Sequence, residues 1–165
     1  ITTRNNMSEH KKTSMAKDMK TENKVVVHTD GGARGNPGPA AIGVMIEGGS
    51  VGQKEYGEYL GEATNNEAEY KAVIFALKKL KQLVGNTESK TTDVEVVLDS
   101  ELLERQLNGE YKIKEKNLQN YFIEVWNLKL DFGSVSFRHV RREENTDADR
   151  IVNQVLDREN NKLKL

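Results

Sequence analysis

Two segments of this 165-residue chain follow one pattern: an apolar, β-branched run, then an aspartate, then a small residue. In the first, Val25-Val26-Val27 leads through His28 and Thr29 to Asp30; in the second, Val94 to Leu98 leads to Asp99 and Ser100. Such runs read as strands. If the two lie parallel and adjacent, Asp30 and Asp99 emerge at one sheet edge, where ligands of open α/β sheets collect. Each aspartate also has a local explanation: Asp30 can bond the amides of a following turn, and Asp99 can cap the next helix. Two carboxylates in one crevice repel each other unless a cation joins them, so the repeated pattern favours a cation site.

The rest of the chain supplies a sheet for these strands. Tight turns are expected at Gly31, Gly32, Gly35, Pro37, Gly38 and Pro39, after a first strand from Lys24 to Thr29. Ile42 to Ile46 and Gln53 to Leu60 read as strands two and three, joined by a hairpin at Glu47-Gly48-Gly49-Ser50. A long helix follows from Asn65 to Leu83, capped by Thr64 or Asn65 and stopped at Gly85. Val94 to Leu98 is the fourth strand, followed by a short helix from Ser100 to Leu107 and a longer one from Leu118 to Leu130. Val135 to Val140 closes the set of strands, and Thr146 to Leu156 the set of helices. This order predicts an α/β domain in which an antiparallel hairpin sheet is extended by parallel strands. Residues 1–23 are polar and lack aromatics, which predicts an N-terminal extension; 24–157 form the domain, and 158–165 a fraying tail.

The long helix contributes a third acid. At about 100° per residue, Glu69 shares a face with Ala72, Val73, Ala76, Leu80 and Leu83. Glu67 falls on the opposite side, where an i,i+4 pair with Lys71 explains it. A glutamate on a buried face needs a hydrogen-bonding network or a metal. Asp147 and Asp149, in the first turn of the last helix, offer a fourth, and the helical wheel does not choose between them.

Composition narrows the chemistry. The absence of cysteine excludes a thiol nucleophile, disulfides and Cys-ligated zinc. No apolar run approaches the roughly 20 residues of a membrane span and no signal-peptide core is evident, so a cytoplasmic protein without membrane contact is expected. A net charge of −1 speaks against nucleic-acid binding by charge alone.

"TDGGARGNPGPAAIGV", "TNNEAEYKAVIFAL", "VLDSELLERQLNGEYKIK" and "VRREENTDADRIVN" resemble, in order and spacing, the motifs of type 1 ribonuclease H over about Lys24 to Leu156. The resemblance implies a five-stranded mixed sheet of order 3-2-1-4-5 flanked by helices. It implies hydrolysis of the RNA strand of RNA–DNA hybrids without sequence specificity, with two Mg²⁺ ions or with Mn²⁺ in their place; a monomer is expected. Carried over residue by residue, the four carboxylates are Asp30, Glu69, Asp99 and Asp149, the last chosen over Asp147 by resemblance alone. Gly31, Gly32, Ala33, Arg34 and Asn36 resemble RNA contacts, Asn65 and Asn66 minor-groove readers, and Thr64 a DNA-phosphate anchor; Ser100 joins them as a substrate contact.

The chain departs from the larger family members in two places. Their basic, tryptophan-bearing handle shrinks here to Gly109–Gln119, with Lys112, Lys114 and Lys116, and Trp126 is expected to pack inside the following helix. Their flexible histidine loop shrinks to Arg141–Asn145, which places Arg142 where the loop histidine would stand. His139 and His28 are then expected to be core residues, by alternation along their strands.

Overall fold

The computed structural model describes residues 23–164. Five strands form one sheet: β1 (Lys24–Ala33), β2 (Gly38–Gly48), β3 (Gly52–Ala63), β4 (Asp93–Leu98) and β5 (Ser134–His139), in the order β3-β2-β1-β4-β5. β1, β2 and β3 pair antiparallel, whereas β4 and β5 join parallel to β1. The helices are α1 (Asn65–Ser89), α2 (Glu101–Leu107), α3 (Lys116–Lys129) and α4 (Thr146–Leu163), with a 3₁₀ turn at Arg142–Glu144. The 3-2-1-4-5 order expected above is the order observed.

Alternation along the strands sorts the side chains into two layers. Val25, Val27, Val94, Val96 and Leu98 bury one face against Tyr70, Val73, Leu77 and Leu80 of α1, with α2 and α3 closing the layer. The other face receives α4, whose Val152, Val155 and Leu156 pack on Ala41. Two glycines set how closely this helix approaches. A Cβ on Gly43 would lie 2.2 Å from the Ala148 carbonyl oxygen, and one on Gly57 would lie 2.7 Å from a Val155 methyl.

Several local expectations need correction. β1 does not turn at Gly31: Gly31, Gly32 and Ala33 stay paired with Ile42, Ala41 and Ala40, and the reversal falls between Ala33 and Gly38. Pairing with a long β2 outweighs the turn propensity of two glycines. Gly85 does interrupt α1, at φ 83°, but a further turn runs on to Ser89. Leu83, placed on the apolar stripe above, is 38% exposed. The supposed tail is helical to Leu163, a polar, exposed extension of α4 carrying a Lys162–Glu159 ion pair at 3.0 Å. Trp126 is 56% exposed and stacks obliquely on Phe122 at the surface of α3. The expectation for residues 1–23 lies outside the described residues, apart from Asn23, whose carbonyl accepts from Asp93 N at 3.0 Å. No helix of the described residues is long and apolar enough to cross a membrane.

Candidate active site

The sheet opens at the C-terminal end of β1. Parallel pairing with β4 ends at His28 and Val97, while β1 runs on beside β2 to Ala33. β4 instead turns off through Asp99 into α2, where the Ser100 hydroxyl accepts from Leu103 N at 3.2 Å. Ser100 is therefore the cap, and Asp99 keeps its carboxylate for the notch left beside Asp30. Both aspartates project on the face that receives α4, by alternation from Val27 and Val96 on the opposite face.

Glu69 reaches the same notch from the other layer. Thr64 caps α1, its hydroxyl accepting from Glu67 N at 3.2 Å. The first turn then lies directly on Gly31: a Cβ there would sit 2.2 Å from the Ala68 carbonyl carbon and 2.5 Å from Glu69 N. This contact of backbone on backbone brings Glu69 to the sheet end, where Asp30, Glu69 and Asp99 each offer a carboxylate oxygen within 4.8 Å of the others. Asp30 is 6% exposed and Glu69 8%. Asp149, at the start of α4, faces the same cleft of about 410 Å³ as Asp30 and Glu69, together with Arg142, Arg34 and Asn65. Asp147 instead pairs with Arg150 at 3.6 Å on the outside. The two are alike on the helical wheel; as the helix docks, Asp149 lines the cleft and Asp147 lies outside it.

Burial dominates the electrostatics. It raises the Asp30 acid from an ordinary 3.8 to about 7, with Asp99 and then Asp149 adding repulsion and Arg142 and the Gly31 amide opposing it. Glu69 is pushed well above the usual carboxylate range, first by burial and then by Asp30 and Asp99, with Arg142 again opposing. Its Oε2 is buried with no hydrogen-bond partner among the described residues. An unpartnered, desolvated carboxylate oxygen beside two more carboxylates fits a hard divalent cation, which takes oxygen ligands.

The loop at Ala33–Gly38 is clasped to the start of α1. Asn65 Oδ1 accepts from Ala33 N at 2.9 Å, and Asn65 N donates to Asn36 Oδ1 at 3.0 Å. Because both amide oxygens accept from backbone N–H groups, both Nδ2 groups face outward as donors. Arg34 is held from the other side of the cleft by Asp157, at 2.6 Å. Gly32 lines the cleft as well. Asn66 lies elsewhere, in a second cavity of about 240 Å³ with Lys112, Lys114 and Gln106.

Three side-chain expectations change. No Glu67–Lys71 pair forms among the described residues; Lys71 instead sits 5.8 Å from the Tyr121 ring centroid. His139 is exposed, at the end of the edge strand β5. His28 is half-buried, with its Nε2 3.1 Å from Glu47 Oε1 rather than in an apolar core. One residue escaped the sequence reading altogether. Asn145, 1% exposed, donates from Nδ2 to Thr29 O at 2.9 Å and to Asp99 Oδ2 at 3.3 Å. An Asn before a helix reads as an ordinary cap, so no sequence signal separates this arrangement from the common one.

The different surroundings of the α1 acids give a direct test. Glu69→Gln is expected to lower metal-dependent turnover on the order of 100-fold or more, as loss of a metal-site group does. Glu67→Gln should leave turnover standing and shift stability by about 0.5 kcal/mol at most. Steady-state cleavage and thermal melts of both variants check this; an inactive Glu67 variant would reverse the assignment.

Comparison with known proteins places the chain in a family. A family model described as reverse transcriptase-like matches residues 28–155. Ribonuclease HI of Halobacterium salinarum is 37% identical over 135 residues, covering 81% of this chain and 65% of that protein. Ribonuclease H of Methylococcus capsulatus is 30% identical over 152 residues, covering 83% of this chain and 92% of that one. The crystal structure of LC11-RNase H1 in complex with an RNA/DNA hybrid superposes with a TM-score of 0.75 at 43% identity, over 81% of this chain and 97% of that one. The chain spans 36% of the length of the first curated relatives it matches, among them a bifunctional protein of Mycobacterium tuberculosis.

Proposed function

Because the chain belongs to the type 1 ribonuclease H family, we propose that it hydrolyses the RNA strand of RNA–DNA hybrids, using divalent cations held by Asp30, Glu69, Asp99 and Asp149. The observation that carries this reading is the meeting of three carboxylates within 4.8 Å, one with a buried oxygen that nothing in the described chain partners. Two Mg²⁺ ions, or Mn²⁺, bound there would neutralise phosphate charge and favour in-line attack by water. Water adds to phosphorus as the bond to the 3′ oxygen breaks, leaving 5′-phosphate and 3′-hydroxyl ends. Such chemistry suits removal of RNA primers and R-loops in the cytoplasm.

The chain's own groups do the binding and orienting. Asn36 and Asn65 present amide donors whose direction is fixed by the loop clasp. Gly31, Gly32 and Ala33 line the cleft, where ribose edges and their 2′-hydroxyls would come within reach of backbone and amide groups. Thr64 and Ser100 sit at helix starts beside the acids, where phosphate is favoured. Arg142 supplies a permanent positive charge in the cleft and cannot carry a proton between groups near neutral pH. Asn66 with Lys112 and Lys114 would hold the DNA strand in the second cavity. With a net charge of −1 and no extended basic handle, hybrid affinity should fall steeply with salt.

The test is cleavage of an end-labelled RNA–DNA hybrid with Mg²⁺, with Mn²⁺ and with chelator, beside duplex DNA of the same sequence. Cleavage of the hybrid's RNA strand alone, abolished by chelator, is the expected result. Cleavage of duplex DNA at a similar rate would redirect the reading to a DNA nuclease; metal-independent hybrid binding without cleavage would make the chain a binding module.

A further inference from the structure

We propose that Asn145 is a positioning residue that locks Asp99 and the start of α4 to the end of β1, fixing the spacing of the carboxylates before any cation arrives. The inference rests on the metal-site reading above and assigns a group within it. An Asn ahead of a helix ordinarily turns its side chain back to bond the helix's own free amides. Asn145 makes no such bond. Its side chain points to the sheet end instead, with Nδ2 on the carbonyl of Thr29, the residue before Asp30, and on Asp99 Oδ2. Its main chain binds the other half of the cleft: the carbonyl accepts from Asp149 N at 3.2 Å, and the amide donates to Arg142 O at 3.1 Å. One residue therefore contacts Asp99, Asp149 and Arg142 directly, and Asp30 through its neighbour.

The arrangement is unfavourable for stability in two respects. The helix start goes without its side-chain cap, and Asn145 Oδ1 is buried without a partner among the described residues. A residue selected for packing or for helix stability alone would not sit this way. A neutral amide donor beside Asp99 does have a use: it fixes the rotation of the carboxyl group, so that the oxygen offered to a cation is decided in advance. It does so without adding a charge that would compete with the cation. Outer groups that orient ligands in this manner typically govern metal affinity by 10–100-fold.

The experiment is calorimetric titration of Mn²⁺ into the wild-type chain and Asn145→Ala without nucleic acid. Melting in chelator, and hybrid cleavage as a function of Mn²⁺ concentration, accompany it. Weaker Mn²⁺ binding by about 10–100-fold is expected in a folded variant, with a matching rise in the Mn²⁺ needed for half-maximal cleavage and recovery of rate at high Mn²⁺. Unchanged Mn²⁺ affinity in a folded variant overturns the proposal, whatever the melting temperature does. If Asn145→Ala fails to fold, Asn145→Ser is measured in the same way; collapse of both in chelator assigns Asn145 to the fold and also overturns it. A wild-type chain that binds no Mn²⁺ removes the metal-site reading itself, an outcome distinct from a wild-type chain and variant that bind equally.

Discussion

Asp30→Asn should abolish detectable hybrid cleavage and, in chelator at pH 8, raise the melting temperature. Asn keeps the shape of the side chain and removes the charge that would bind a cation, so loss of activity follows from the metal-site reading. The gain in stability follows from the surroundings of the acid. In the unfolded chain Asp30 loses its proton near the ordinary 3.8; in the fold, burial and the neighbouring Asp99 and Asp149 hold the proton to about 7. Between those two values the folded state binds the extra proton, so metal-free stability falls as pH rises through the window and levels off above it. The difference amounts to about 2–4 kcal/mol at pH 8, part of it shared with the adjoining Glu69. The variant should therefore melt several degrees higher at pH 8, on the order of 5–10 °C, and close to wild type near pH 4. Calorimetric scans in chelator at both pH values provide the check. A variant melting well below wild type at pH 8 would make Asp30 a structural residue. Added Mg²⁺ should stabilise the wild-type chain and leave the variant nearly unmoved, because a ligand stabilises only the state that binds it.

Gly31→Ala should damage both stability and activity, because its added methyl group falls on main chain beside the acids. The added carbon would meet the backbone of α1 at Ala68 and Glu69, at distances no real contact shows. Backbone in the first turn of a capped helix cannot swing aside as a side-chain tip can, so the helix start must lift off the sheet. Overpacking of this kind costs about 1–3 kcal/mol, and more where the opposing atoms are main chain. Glu69 is carried away with the helix, and a displacement of about 1 Å at a reacting centre lowers turnover on the order of 100-fold. Gly32→Ala is the control for stability: its Cβ would meet only a Val152 methyl, at an ordinary 3.5 Å. Thermal melts of the two variants should differ by several degrees, with Gly31→Ala the lower. Equal melting temperatures would mean that α1 adjusts freely and that the close contact does not hold Glu69.

The acids at the sheet end illustrate what a sequence can carry. Asp30 and Asp99 were legible because a strand alternates side chains across its faces and both runs end in the same pattern. Glu69 was legible because a helix repeats every 3.6 residues and an acid on the apolar stripe stands out. The order of strands, helices and motifs, read with the family resemblance, gave the sheet order. These are local properties, written in neighbouring residues.

What the sequence left open depends on where elements end and what covers them. Asp149 and Asp147 share a helix turn, and only docking of α4 on Gly43 and Gly57 turns one inward and leaves the other to Arg150. His139 keeps the alternation of a buried residue yet is exposed, at the end of β5 on the edge of the sheet. Trp126 carries the composition of a core residue yet is 56% exposed on α3, with Phe122 of the same helix as an aromatic neighbour. Asn145 occupies a capping position and bonds across the sheet to Thr29, 116 residues away in sequence. Periodicity fixes the direction of a side chain relative to its own element; burial and partnership are set by the other elements packed around it, and only the tertiary structure decides those.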